Sequence, residues 1–177
     1  MDVAIALFTR NSVAGTSLQM ISDEMGFTKS AIYYHFRTRD ELLGAILEPI
    51  VERLGELVDD ADAQRTPRAR ADRMLTGYID LAVANRTLFP IFSGDPGVIE
   101  FLRSKPVWAQ RVRRQAELLS GAEPGVGGQV KAAVVMGGIA TAVGVAFEDL
   151  DDAALRHQLL AAARRTLGLR ATPPKPS

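Results

Sequence analysis

Side chains able to carry out catalysis are scarce in this sequence. It has no cysteine, which excludes disulfides, thiolate nucleophiles and cysteine metal sites, and only two histidines, His35 and His157. The acidic run at residues 148–152 has the charge to hold a cation. We favour another role for it, because carboxylates at a helix start are stabilised by the helix dipole. An enzyme built on this run would lack a nucleophile and a base, so the sequence predicts neither an enzyme nor a cofactor.

A second group of polar side chains, near the N-terminus, is suited to reading DNA. Lys29, Ser30 and Ala31 follow Thr28 at the start of a short predicted helix, residues 28–34. Lysine can donate to guanine N7 and O6, serine can pair with several bases, and an alanine methyl group can touch a thymine methyl group. A helix this short can enter the major groove end-on, with its first residues at the base edges. These residues therefore predict base contacts.

Other residues near this helix are candidates for backbone contacts. Tyr33 and Tyr34 each combine a rigid ring with a hydroxyl group, which suits phosphate or sugar contact at the groove wall. For Tyr33 an inward structural role stays open, and His35 can equally pack beneath the next helix. The N-terminal amides of the helices on either side can each hold a phosphate. Ser17, Gln19 and Arg39 lie beside those helix ends.

Apolar residues recur at helical spacing along the whole chain, so helices must position these groups. Alternating strand patterns and hairpin turns are absent, so the fold is predicted to be all-α with about nine helices. A second helix at residues 17–25 ends at Gly26, where a left-handed cap is wanted. Thr28 is the expected N-cap of the third helix, and Phe27 is expected to pack on Ile32 as a hydrophobic staple. Two short helices joined by a tight turn form a helix-turn-helix.

The fourth helix is expected to join the N-terminal helix-turn-helix region, which we call the head, to the rest of the chain, which we call the body. Thr38 and Glu41 form a capping box at its start, and it should run to about residue 59. Pro49 lies inside it and predicts a kink or a break between the two parts. We expect a DNA-binding domain at residues 1–47, a larger helical domain at 48–170, and a disordered tail at 171–177.

The later helices are marked by prolines and glycines. A fifth should start at Thr66-Pro67, a brief sixth lie between Pro90 and residues 94–97, and a seventh run from about Pro106 to residue 120. The eighth and ninth should span residues 129–147 and 151–168. Because the eighth is apolar nearly all round and rich in small residues, it must be covered on all sides, which predicts close pairing with a second copy of the chain.

Neither apolar stretch of the sequence predicts a membrane location. The N-terminal stretch is too short and too uncharged at its start for a signal peptide. Residues 132–147 hold 16 uncharged residues, fewer than the roughly 20 that a membrane span needs. We therefore expect a cytoplasmic protein with no membrane partner.

The N-terminal motif resembles the DNA-binding domain of the TetR family of transcription regulators. The resemblance is close over about residues 3–47, and the rest of the chain matches the family in helix count and order. The residues that carry it are Leu7-Phe8, Gly15-Thr16-Ser17, Ile21, Gly26-Phe27-Thr28, Ile32-Tyr33-Tyr34-His35-Phe36 and Arg39-Asp40-Glu41-Leu42-Leu43.

Membership of that family would imply a homodimeric repressor that a small-molecule effector releases from a double-stranded DNA operator. By resemblance Gln19 would reach a base, and Tyr34, His35 and Arg39 would contact phosphates. The resemblance also implies that the body, residues 48–170, is a ligand-binding and dimerisation domain with an effector cavity. Large side chains at helical spacing alone usually mean a packed core. The expected lining residues of the cavity are Met74, Tyr78, Phe89, Phe92, Phe101 and Trp108.

Some features depart from the family pattern. Residues 1–43 hold four Lys or Arg against five Asp or Glu, and the basic arm that family members usually have before the first helix is not among the given residues. Either the given start lies downstream of the real one or DNA affinity is weak. Ser12 stands where glycine is usual. The basic run at residues 103–114 can either attract an acidic effector or form a solvated face. The alternative function is therefore a small-molecule-binding or protein-interaction dimer whose head no longer binds DNA.

Overall fold

The computed structural model describes residues 1–145 and 150–169, apart from the side chains of Pro90, Phe92 and Ser93. This part of the chain contains helices and no strand, and the prediction of an all-α fold is confirmed. The predicted tail at 171–177 lies outside the described residues. The helices are α1 Asp2–Asn11, α2 Leu18–Glu24, α3 Lys29–His35, α4 Arg39–Asp62, α5 Pro67–Ala84, α6 Phe89–Gly94, α7 Pro96–Ser104, α8 Pro106–Ser120, α9 Val126–Gly144 and α10 Asp152–Leu167.

Several helix ends follow directly from local sequence. The hydroxyl groups of Ser17, Thr38 and Thr66 accept hydrogen bonds from backbone amides in the first turns of α2, α4 and α5. Gly26 and Gly168 both adopt positive φ, 66° and 69°, and so allow the chain to leave α2 and α10 in a left-handed turn. These caps confirm the predicted boundaries of the helix-turn-helix and of the last helix.

The predicted sixth helix corresponds to α6, and the structure adds a helix that was not predicted, α7, between it and Pro106. Asp95 ends α6 and caps α7, because its Oδ1 accepts hydrogen bonds from the amides of Gly97 at 2.7 Å and Val98 at 3.3 Å. Pro96 occupies the first position of α7, where its missing N–H costs nothing. The seventh, eighth and ninth predicted helices therefore correspond to α8, α9 and α10.

The long helix α4 runs through Pro49 without interruption. It extends from Arg39 to Asp62, so the prediction of a break at Pro49 is wrong. Pro49 is exposed, and the buried residues on either side of it hold the helix against both parts of the molecule. Of these, Ile46 packs in the core of the head and Ile50 in the core of the body.

Two apolar clusters form the interior. The cluster in the head includes residues from beyond the domain boundary expected at residue 47. The cluster of the head contains residues of α1 to α4, and it is completed by Ile91 from α6 and by Val98 and Leu102 from α7. The other cluster contains residues of α4, α5, α6, α8, α9 and α10. The head therefore rests on α6 and α7 as well as on α4.

One face of α9 is apolar and exposed. Val126, Val130 and Val134 lie on it, and an added Cβ at Gly137 or Gly138 would meet no heavy atom within 4 Å.

The helix α9 starts earlier than predicted, at Val126, and it is long and apolar enough to cross a membrane by length and composition alone. This is weak evidence for a span, because core helices pass the same test. Only 33% of its most apolar window is buried within the protomer.

Candidate functional site

The helix α3 presents nearly all of its surface to solvent. Of its seven residues only Ile32 is buried, and Tyr34 is 85% exposed. Lys29, Ser30 and Ala31 form its exposed first turn. Thr28 precedes them at the N-cap position, and its hydroxyl group makes no capping bond. A helix that a globular domain leaves uncovered in this way is available for contact with a partner.

The aromatic side chains of α3 are arranged around this exposed turn. The Lys29 Nζ atom lies 5.6 Å from the centroid of the Tyr33 ring, a cation–π distance that orients the lysine along the helix surface. Tyr33 is exposed rather than directed inward. The Tyr34 ring packs edge-on against His35 with centroids 5.2 Å apart. Lys29 and the two tyrosines thus form one polar and aromatic surface.

On the far side of α3 lies a hollow. His35 is exposed there, and Phe27, Ile32 and Phe36 line the same hollow. The predicted staple is not formed as a buried contact, because Phe27 keeps 57% of its surface exposed while Ile32 is covered by the head core.

A shallow notch brings the N-termini of α2 and α4 together. It has a volume of about 340 Å³ and is lined by the capping residues Ser17 and Thr38 and by Tyr33, Arg37 and Arg39. The capping box at α4 is modified, because Glu41 Oε2 accepts from the amide of Arg37 at 2.7 Å. Two helix N-termini with a nearby guanidinium group have the chemistry for a phosphate.

Two of the predicted contact residues already have partners within the head. Arg39 Nη1 donates to the carbonyl oxygens of Val13 at 3.0 Å and Ala14 at 3.1 Å. Gln19 Nε2 donates to Asp23 Oδ1 at 2.6 Å. Arg39 therefore fixes the turn before α2, and Gln19 has to exchange its partner before it can reach a base.

The turn between α1 and α2 is held from a second side by the body. The buried carboxylate of Asp95, besides capping α7, accepts a hydrogen bond from the amide of Val13 through Oδ2 at 2.6 Å. The N–H of Val13 thus binds the body and its carbonyl binds Arg39 of α4. Ser12, just before, adopts a positive φ of 64° that favours glycine. We call Val13, Arg39 and Asp95 the junction.

A cavity of about 500 Å³ lies in the body, between α4, α5, α6, α7, α8 and α9. This volume is within the range of small-molecule sites, roughly 300–1,000 Å³. Most of its lining is apolar, and its polar members are Tyr78, Gln115, Arg103 and Arg113. The complete lining is Ile50, Leu54, Tyr78, Leu81, Phe89, Ile99, Leu102, Arg103, Ala109, Val112, Arg113, Gln115, Ala116, Met136, Gly137 and Ala140.

The structure brings two of the predicted lining residues to this cavity. Tyr78 and Phe89 line it with ring centroids 5.5 Å apart. Met74 is fully buried in the packed core of the body. Phe101 and Trp108 pack edge to face, with ring centroids 5.8 Å apart, beside the head cluster. The Phe92 side chain lies outside the described residues. The sequence did not predict Gln115 as a lining residue, because a single polar residue within a basic amphipathic helix is expected to lie on the solvated face of that helix.

Comparison with known proteins adds to this geometry. A sequence model described as "Bacterial regulatory proteins, tetR family" matches residues 1–46. The HTH-type transcriptional regulator AcrR of Shigella flexneri is 40% identical over 57 residues, which is 32% of this chain and 26% of that protein. At the level of sequence, the likeness to the TetR family of regulators therefore lies in the head of this chain, over residues 1–46.

Solved TetR-family structures extend the likeness to the whole chain. A regulator from Streptomyces coelicolor has a TM-score of 0.74 at 21% identity, with 97% of this chain and 90% of that chain covered. A TetR/AcrR-family regulator from Thermobifida fusca has a TM-score of 0.58 at 26% identity, with 96% of each chain covered. This chain therefore has the fold of these regulators from head to body.

The acidic run near α10 serves that helix. Asp151 caps it by accepting from the amide of Ala154 at 2.7 Å, and Asp152 pairs with Arg86 at 2.7 Å. Glu148 and Asp149 lie outside the described residues. Within the described part of the chain no group of three or more His, Cys, Asp or Glu side chains is placed to hold a metal ion.

Proposed function

We propose that this protein is a homodimeric, ligand-responsive transcription regulator of the TetR family. A small-molecule effector in the cavity of the body would release the two heads from a double-stranded DNA operator, which makes it a repressor. The observation that carries the proposal is that α7 contacts both the cavity of the body and the head. Leu102 of α7 lines the cavity and packs in the head core, while Asp95 at the start of α7 holds the turn before α2.

The DNA-binding part of the proposal rests on the exposed surface of α3. Lys29, Ser30 and Ala31 would face base edges, with Thr28 and Gln19 beside them. Tyr33, Tyr34 and His35 would contact the backbone. The notch at Ser17 and Arg39 would accept a phosphate. An operator as partner places the protein in the cytoplasm.

The dimer rests on α9 and α10. The apolar exposed face of α9 lies beside α10, whose exposed residues include Ala154, His157 and Ala162. Pairing of these two helices with their copies across a two-fold axis gives a four-helix bundle. Such a bundle would cover the face of α9 and hold two α3 helices about one DNA turn apart, roughly 34–36 Å.

Operator binding tests the proposal against its alternative. The alternative, a dimer with a head that no longer binds DNA, is favoured by the charges of the head, where Arg10 pairs with Glu24 and Arg39 binds backbone carbonyls. Selection of genomic fragments by the purified protein, followed by affinity measurement across salt concentrations, separates the two. A selected sequence bound with a steep salt dependence supports the regulator. Failure to enrich any sequence supports the alternative.

Substitutions in α3 should separate base contact from backbone contact. Lys29→Ala is expected to lower discrimination at one operator position by about 1–3 kcal/mol, and Tyr34→Ala to weaken all sequences alike. Both side chains are exposed, so neither change should alter folding. The measurement is the affinity of each variant for a panel of operators with single base changes. The same affinity profile for both variants would contradict the assignment.

The continuous helix α4 offers a second route for signalling. Pro49 lacks the N–H that would bond the carbonyl of Ala45, so Pro49→Ala should add one helical hydrogen bond and stiffen α4. If tilting of α4 carries the signal, the variant should change the ratio of operator affinities measured with and without effector. Because Pro49 is exposed and outside the cavity lining, effector affinity without DNA should stay the same. An unchanged ratio would leave the junction as the route.

A further inference from the structure

One buried side chain of the cavity has hydrogen-bonding capacity left over. Gln115 on α8 is only 2% exposed and belongs to the cavity lining. Among the described residues its Nε2 atom has no hydrogen-bond partner. A buried amide nitrogen without an acceptor is costly, and proteins retain such groups where a ligand or water completes them.

A second polar group lies beside this amide. The Tyr78 hydroxyl donates to the carbonyl of Met136 at 3.5 Å, the far end of hydrogen-bond range. Burial raises the pKa of Tyr78 to about 12, and the nearby Gln115 side chain opposes that effect. The phenol is therefore neutral at physiological pH. Gln115 and Tyr78 together form a polar end in an otherwise apolar interior.

The charged residues of the lining lie elsewhere. Arg103 and Arg113 are exposed, so their guanidinium groups stay in contact with water. None of the buried residues in the described lining carries a positive charge. A carboxylate bound at the polar end would lose its hydration with no opposite charge to replace it. The group that fits beside Gln115 is therefore an uncharged acceptor.

We infer that the effector is an apolar, uncharged carbonyl compound, such as a ketone, ester or lactone, whose oxygen accepts a hydrogen bond from Gln115 Nε2. This rests on the proposed function, because it names the ligand of the same cavity. The apolar wall, which includes Ile50, Leu54 and Leu81, binds the body of the molecule through burial. Gln115 then distinguishes it from a hydrocarbon of the same shape.

Two probes that differ by one oxygen test this inference. Benzophenone carries a carbonyl group between two rings, and diphenylmethane has the same rings joined by a methylene group. Calorimetric titration of the full chain should show benzophenone binding about fivefold more tightly, the difference that one neutral hydrogen bond makes. In Gln115→Met, which keeps an unbranched side chain of similar volume, the two probes should bind equally.

A second variant keeps the inference falsifiable. Tyr78→Phe removes only a hydroxyl group, and the preference for benzophenone should survive in it. If the preference is lost in Tyr78→Phe and kept in Gln115→Met, Tyr78 is the donor and the inference is wrong. Equal binding of both probes to the unmodified protein would also overturn it, while leaving the effector cavity in place. Binding of neither probe would remove both the inference and the ligand-responsive part of the proposed function.

Discussion

Replacing Asp95 by asparagine is expected to lower the free energy of unfolding by about 1–3 kcal/mol, the cost of an unsatisfied buried donor. An asparagine oxygen can still cap α7, but only an NH₂ group remains to face the amide of Val13, which in the unmodified protein donates its hydrogen bond to the second carboxylate oxygen. The head would lose its direct bond to α7. Urea denaturation followed by circular dichroism measures the change.

The same variant should also uncouple the effector from the operator. In the proposed mechanism, a bound effector would move α7, and Asp95 would transmit that movement to the turn before α2. Without that bond, the ratio of operator affinities with and without effector should fall toward one, while each ligand alone still binds.

A matched control is available at the start of α10. Asp151 caps that helix in the same way but is exposed and binds only the amide of Ala154. Because asparagine and aspartate are nearly equal as N-caps, Asp151→Asn should change stability by only a few tenths of a kcal/mol. If Asp95→Asn behaves like Asp151→Asn in both measurements, the junction does not link head and body.

Gly138→Leu on the exposed face of α9 is expected to convert the proposed dimer to monomers. An added Cβ there meets no atom of the same protomer within 4 Å, so the protomer itself should fold normally. Across the two-fold axis each leucine would push on the partner helix, and overpacking costs about 1–3 kcal/mol at each of two symmetric positions. That corresponds to a dissociation constant raised by roughly 30-fold or more.

Light scattering over a range of concentrations measures this loss, and operator affinity should fall with it by roughly 10²–10⁴-fold because the two heads then bind independently. Gly138→Ala is the matched control: one methyl group leaves the helices close and the dimer intact. Gly77→Leu would be uninformative, since even a Cβ there would clash with the Leu57 side chain of the same protomer. A Gly138→Leu variant that stays dimeric would place the interface elsewhere.

The sequence by itself determined most of the helices and the exposed surface of α3. Caps such as Ser17, Thr38 and Thr66 satisfy amides within three residues, and Gly26 allows the tight turn between α2 and α3. These interactions are local, so the residue types and their spacing were sufficient to predict them. The exposure of Lys29, Ser30 and Ala31 followed in the same way, because the apolar residues of α3 leave that turn outside the core.

The tertiary structure alone decided which helices contact one another and which residues line the cavity. Asp95 and Val13 are 82 positions apart, and no local pattern relates them. Periodicity marks Met74, Phe101 and Trp108 as buried, but it does not tell a packed core from a cavity wall. Gln115 lines the cavity because α8 turns that one polar residue toward Tyr78. Partners distant in sequence are set by how whole helices pack, and that packing depends on every apolar face at once.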